Sequence, residues 1–207
     1  IPIPMTEPDL ILEYWFGELT DGFSDAAHRR RWFNGGSAFD AELGREFGHL
    51  IDAVLNSELQ PWLNSPRGRL AYVLVCDQLP RNIFRGERRA YATDHLALAA
   101  ARDGVEAGED SHLQIDERRF LYMPFEHSEN LIDQHTCVGL FMELQDTAPT
   151  GEIERLTDSL RYARRHRGVI RRFGRFPHRN AVLGRTSTAE EASFVAGGNS
   201  FGQATDR

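Results

Sequence analysis

The chain has no lysine: all 24 of its basic residues are arginine. Arginine carries a planar fork of donors that grips carboxylates through two parallel hydrogen bonds, so arginine and acid in one chain suit internal lacing. A bias toward arginine codons would give the same count. The arginines crowd toward the C-terminal third, above all in residues 161–185. Cysteine is nearly as scarce as lysine. Cys76 and Cys137 each stand alone in an apolar helical pattern, which excludes a disulfide framework and a thiolate metal site and predicts buried, reduced thiols. Long apolar runs are missing too, since LAYVLVC at 70–76 is far shorter than the roughly 20 residues a membrane helix needs. No basic segment followed by an apolar one opens the chain, and the expectation is a cytoplasmic protein with no membrane partner. A net charge of -7 and a pI near 5.6 argue against a nucleic-acid partner, whose phosphates demand a basic face.

The phosphate-cradling signatures are likewise absent: there is no GxGxxG or Walker-type loop, and no His-Glu-x-x-His pair. The one Gly-x-Ser-x-Gly string, at 198–202, follows no strand pattern and falls in the tail, so it does not read as a nucleophile elbow. Alternating apolar and polar residues of useful length are also missing, so no strand is predicted.

What remains is helical periodicity. With 41% hydrophobic and 27% charged residues over 207 positions, the composition fits one globular domain, taken as residues 6–195 between a flexible lead at 1–5 and a flexible tail at 196–207. Pro8 suits the first turn of a helix bearing Leu12, Trp15, Phe16 and Leu19, and Ser24 or Asp25 can cap a short one after it. A long helix is predicted over 37–59, capped by Ser37, with Phe39, Leu43, Phe47, Leu50, Ile51, Val54 and Leu55 at spacings of three and four. Ser65-Pro66 opens the next, which Pro80 is expected to stop. Asp94 starts an Ala-rich helix, Ile115 to Phe125 forms another segment, and Ser128 is expected to cap a helix running through Gln145. After the turn TAPTG a helix runs from residue 152 to about Arg172, and Thr188 and Glu191 have capping-box spacing for a short last helix. The pattern is all-α, with six to eight amphipathic helices in a bundle or in stacked pairs.

Three helix-breaking segments hold the unusual chemistry: DQLPRNIFR at 77–85, FLYMPFEHSENLIDQ at 120–134 and RFGRFPHRN at 172–180. The first and third supply arginine and the second carboxylates, so the three are expected to meet in one place. Glu126, His127 and Glu129 are the candidate catalytic groups, because imidazole titrates near neutrality and adjacent carboxylates fix its tautomer. Asp77, Arg81, Asn82, Arg85, Asp133, Gln134, Arg175, His178, Arg179 and Asn180 are candidate ligand contacts, a set suited to clamping a small anionic molecule or peptide. The structural alternative is that Glu129 and Asp133 serve a helix N-terminus, while the arginines cap carbonyls and pair with Asp77, Glu126, Glu129 or Asp133. No metal motif is present. Glu126, His127, His166 and His178 are nonetheless possible ligands from separate segments, and the sequence implies no particular cofactor.

Taken together, DQLPRNIFRG, FLYMPFEHSEN with its DQ, and HRGVIRRFGRFPHRNAVLGRTSTAEE resemble the bacterial family called domain of unknown function 924. The likeness runs from the WFG at 15–17 to the capping box near 191. It implies an all-helical, tetratricopeptide-like array and no activity or catalytic residue. Two functions follow from the residues: an enzyme or small-molecule binder with a polar Arg/Glu/His pocket, or a helical interaction module without catalysis.

Overall fold

The computed structural model describes residues 7–149 and 153–198. The lead at 1–5, the end of the TAPTG turn with the first residue of the long helix, and the tail beyond 198 lie outside the described residues. Apart from one isolated bridge between Thr20 and Phe23, every regular element among them is helical. The α-helices are α1 (Glu7–Phe16), α2 (Ala26–Asn34), α3 (Gly36–Phe47), α4 (His49–Leu55), α5 (Pro66–Val73), α6 (Leu79–Ile83), α7 (Asp94–Glu106), α8 (Ile115–His127), α9 (Leu131–Asp146), α10 (Ile153–Phe173), α11 (Asn180–Leu183) and α12 (Ala189–Ala196). There are more than the six to eight expected, because two predicted helices are divided and the short α11 is additional. No described helix is long and apolar enough to cross a membrane.

The predicted 37–59 helix is one such case. It starts one residue before Ser37, with Gly35 as an N-cap that offers no side chain. It pauses at Gly48, where Ile51 N–H bonds three residues back to Gly48 O, and it ends at Leu55. The ending is set by Ser57, whose φ of 63° lets Glu58 N–H reach back to Ala53 O at 2.9 Å. Phe39, Leu43, Leu50, Ile51 and Val54 are buried as expected, whereas Leu55 faces solvent.

Other caps follow the sequence. Asp25 accepts from Ala27 and His28 N–H at the start of α2, Ser65 from Gly68 N–H at the start of α5, and Thr188 and Glu191 form a reciprocal capping box on α12. Phe120 of α8 meets Trp15, Phe16 and Trp32 edge-on at 4.7–5.5 Å between ring centres, and Trp32 Nε1 donates to Trp15 O at 2.8 Å. That locks α1 and α2 to α8 through the preferred aromatic geometry. The Ala-rich α7 packs on α5 through Ala97, Ala100, Ala101 and Gly104. At Gly104 an added Cβ would lie 2.5 Å from Arg69 Cδ, so only glycine leaves room for that buried arginine to reach Glu109 at 2.7 Å.

Two corrections position the candidate site. Pro80 does not stop its helix. Leu74–Gln78 widen into a π-turn, with Leu79 N–H bonded five residues back to Leu74 O, and the chain continues into α6. Proline has no N–H for the carbonyl four residues before it, Cys76 O, and Thr93 Oγ1 donates to that oxygen instead at 2.6 Å. The next two carbonyls also take side-chain donors: Asp77 O from Arg81 Nη1 and Gln78 O from Asn82 Nδ2, each at 2.8 Å. The second correction concerns Ser128, which caps no N-terminus. Pro124 is carried inside α8, so Glu126 and His127 end that helix, and Asn130 caps α9 by accepting from Ile132 N–H at 2.8 Å. Helices α9 and α10 then run antiparallel, as shown by Gln145 bonding Thr157 at one end and Glu129 bonding Phe176 N–H at the other.

Candidate functional site

The end of α8, the π-turn, the start of α7 and the short 3-10 stretch Pro177–Arg179 converge on one polar cluster. The three sequence segments do meet. At its centre His127 Nδ1 lies 2.7 Å from Asp77 Oδ1, and Asp77 also lies 3.1 Å from Arg81 Nη1. Burial alone would raise the Asp77 carboxyl, but Arg81 and then His127 outweigh it and hold the group well below the usual range. His127 is pushed down from its ordinary value by burial and then by Arg81, so it is neutral at pH 7. Against an ionised carboxylate its Nδ1 carries the hydrogen, which leaves Nε2 as the ring's acceptor.

Asp94, the first residue of α7, joins the two arginines. Arg81 grips it with two bonds of 2.7 and 2.9 Å, while Arg179 Nη1 reaches it only at 3.4 Å. Arg179 Nη2 donates to His127 O at 3.0 Å, and its buried Nε has no hydrogen-bond partner among the described residues. The guanidinium carbon of Arg179 stands 4.8 Å from the ring centre of Tyr91 and 4.5 Å from that of Phe176. Burial and then repulsion from Arg81 lower its pKa.

Glu126 is the most perturbed acid in the cluster. Burial first, and then the negative charge of Asp77, push it up to about 8. It is therefore mostly protonated at neutral pH. His166 of α10 is its neighbour, with Nδ1 3.1 Å from Glu126 Oε1 and 2.9 Å from Tyr162 O. The Tyr162 carbonyl can only accept, so His166 Nδ1 carries hydrogen, and burial holds this ring neutral as well. Burial and then Arg179 lower His178 to about 3. Among the described residues, no group of three His, Cys, Asp or Glu is disposed to hold a metal ion.

The remaining candidates lie around this centre. Glu129 receives two bonds from Arg185, at 2.7 and 2.9 Å, and one from Phe176 N–H, which ties the α8–α9 turn to the 176–185 segment. Gln134 donates to the carbonyls of Phe125, Glu126 and Ser128 and so fixes the end of α8. Asp133 pairs with Ser128 and Arg102, Arg85 with Asp40 and Asn82, Arg175 with Glu191, and Asn180 with Ser187 and Arg185. Of the four candidate arginines only Arg81 pairs with an expected acid, Asp77, while Glu129 and Asp133 take Arg185 and Arg102 from outside the candidate set. Glu126 faces a histidine instead. Sequence reasoning missed Tyr91 and Phe176 as ring partners of Arg179, and it took Asp94 for a helix start alone.

Residues 11–199 match the family described as bacterial protein of unknown function, DUF924. The chain belongs to that family. The solved structure of a protein of unknown function from Agrobacterium tumefaciens is 36% identical over 82% of this chain and 90% of that one, with a TM-score of 0.73. No curated protein matches.

Proposed function

We propose that this DUF924 protein binds a small anionic molecule at the cluster and exchanges a proton with it through His127. The observation that carries this reading is the Asp77–His127 pair at 2.7 Å, with Nε2 as acceptor, beside two buried arginines of which one has an unbonded Nε. A histidine held in one tautomer by a carboxylate is the arrangement a general base needs, and a protonated Glu126 next to it is a donor. Glu129 acts at one remove, by fixing the segment that carries Arg179. The inner set is neutral as it stands, because Arg81 and Arg179 balance Asp77 and Asp94 while His127 and Glu126 carry no charge. An incoming anion is therefore matched either by a proton taken up at His127 or by Asp94 turning toward solvent. We place the protein in the cytoplasm on the strength of its two free, buried thiols.

Native mass spectrometry of the protein purified from its own host tests the reading. A co-purifying small anion that disappears in His127→Ala and Arg179→Gln, with melting temperatures within about 3 °C of wild type, is the expected result. Loss of roughly 10 °C in both variants, with nothing bound to the parent, identifies a structural ion network instead, since an unpaired buried charge costs about 3–5 kcal/mol. A second reading, a tetratricopeptide-like module that holds a peptide without catalysis, draws support from a surface groove of about 900 Å³ lined by Pro8, Trp62, Arg67 and His112 among others, none of them in the cluster. On that reading cluster substitutions leave peptide binding intact.

A further inference from the structure

Nine arginines and no acid occupy residues 161–185, so the rest of the chain, at an overall -7, carries a net charge of -16. Some of these arginines enter the cluster or its rim, but α10 exposes the others. Arg161, Arg164, Arg165, Arg171 and Arg172 are all solvent-exposed. At 100° per residue they fall within about 120° of the helix circumference and span about 16 Å of its axis. Gly168 lies in the middle of this face, and an added Cβ there would meet nothing within 4 Å, so the arginines border an open notch. Arg161 pairs with Asp158 and Arg172 with Glu190, both pairs exposed, and Arg165 has an interaction of its own. Such pairs are weak and exchange readily for other carboxylates. Arg164 and Arg171 form no ion pair among the described residues. The first half of α9 adds no exposed acid, since its exposed residues are Leu131, Ile132, His135 and Thr136; the exposed Glu143 and Asp146 lie in its second half.

We infer that this arginine face of α10 docks an acidic helical segment, about three turns long, of a partner protein. Charge complementarity and length choose the occupant. The strip is bounded by Glu154 and Asp158 at one end and Glu190 at the other, on a body that is strongly negative elsewhere. A long polyanion or a flat anionic bilayer would overrun those limits and meet like charge, whereas a short helix with carboxylates at i, i+3 and i+4 ends where the arginines end. Arginine forks also suit carboxylates bidentately. This docking does not depend on the polar cluster.

Fluorescence anisotropy tests it with the full chain and four labelled probes. They are a helical peptide of about 14 residues bearing glutamate at i, i+3 and i+4, its glutamine counterpart, a thymidine oligonucleotide, and phosphatidylserine vesicles. The expected result is saturable binding of the glutamate peptide alone, weakened at least about tenfold between roughly 50 and 300 mM salt and to a similar degree by the double substitution Arg164→Glu and Arg171→Glu. The glutamine pair at the same two positions serves as the variant if charge reversal alters the circular dichroism. The inference is overturned by no binding of the glutamate peptide, by equal binding to either double variant, or by tighter binding of the oligonucleotide or the vesicles.

Discussion

Glu126 is a carboxylic acid that folding keeps protonated, and that has a sign. Its folded value near 8 lies above its ordinary value of 4.5, so between these limits the native chain holds a proton that the unfolded chain has released. Stability from this residue is full below about pH 4.5 and is lost as pH rises toward 8, by an amount on the order of a few kcal/mol. Glu126→Gln keeps the shape and cannot ionise. Urea unfolding should therefore show the Gln variant gaining on wild type as pH rises from about 5 to about 8, and a constant difference over that range sinks the assignment. His166 and His178 move the opposite way, because their lowered values make the unfolded chain the one that binds protons below about pH 6.5. Comparing the two chains cancels that contribution. Glu126 and His127 were legible in the sequence because charged residues flanked by MPF stand out. Asp94 was not, since only the fold brings the start of α7 against Arg81 and Arg179.

The π-turn is the element that makes Asp77 available. A plain helix running into Pro80 would leave Cys76 O without a donor, and the widened turn with Thr93 resolves this while aiming Asp77 at His127. Thr93→Val removes the hydroxyl and keeps the shape, leaving a buried carbonyl unbonded at about 1–3 kcal/mol. A lower urea midpoint for Thr93→Val, restored largely by Thr93→Ser, is the expected pattern; equal stability of all three chains would show that the carbonyl is satisfied otherwise. Local pattern identified most helices, and three of the caps it named or offered, Asp25, Ser65 and Thr188, hold. It failed at Pro80, Ser37 and Ser128. Whether Pro80 ends a helix depends on a donor from a distant segment, Thr93, and whether Ser37 or Ser128 caps one depends on where the neighbouring residue turns.

At the scale of the molecule, one large apolar cluster reaches from α1 to α10, and a small second one, Val169, Ile170 and Phe176, lies under the C-terminal segment. The sequence announced the all-helical class through periodicity, but how the helices stack depends on surface complementarity that periodicity does not carry. The two cysteines sample that large core at separate places, Cys76 in the π-turn and Cys137 on α9, both without solvent exposure and both raised in pKa by burial. Neither can meet an alkylating reagent until its surroundings part, so each works as a clock for the opening of its own neighbourhood. Because the π-turn is bound to α7 through Thr93 and to α8 through Asp77, the two clocks should keep the same time, with both thiols modified at one rate that climbs with urea in step with unfolding. Faster modification of Cys76 in plain buffer would mean that the turn carrying Asp77 opens by itself, and the chemistry proposed for His127 would then be gated by a motion of α5 and α6.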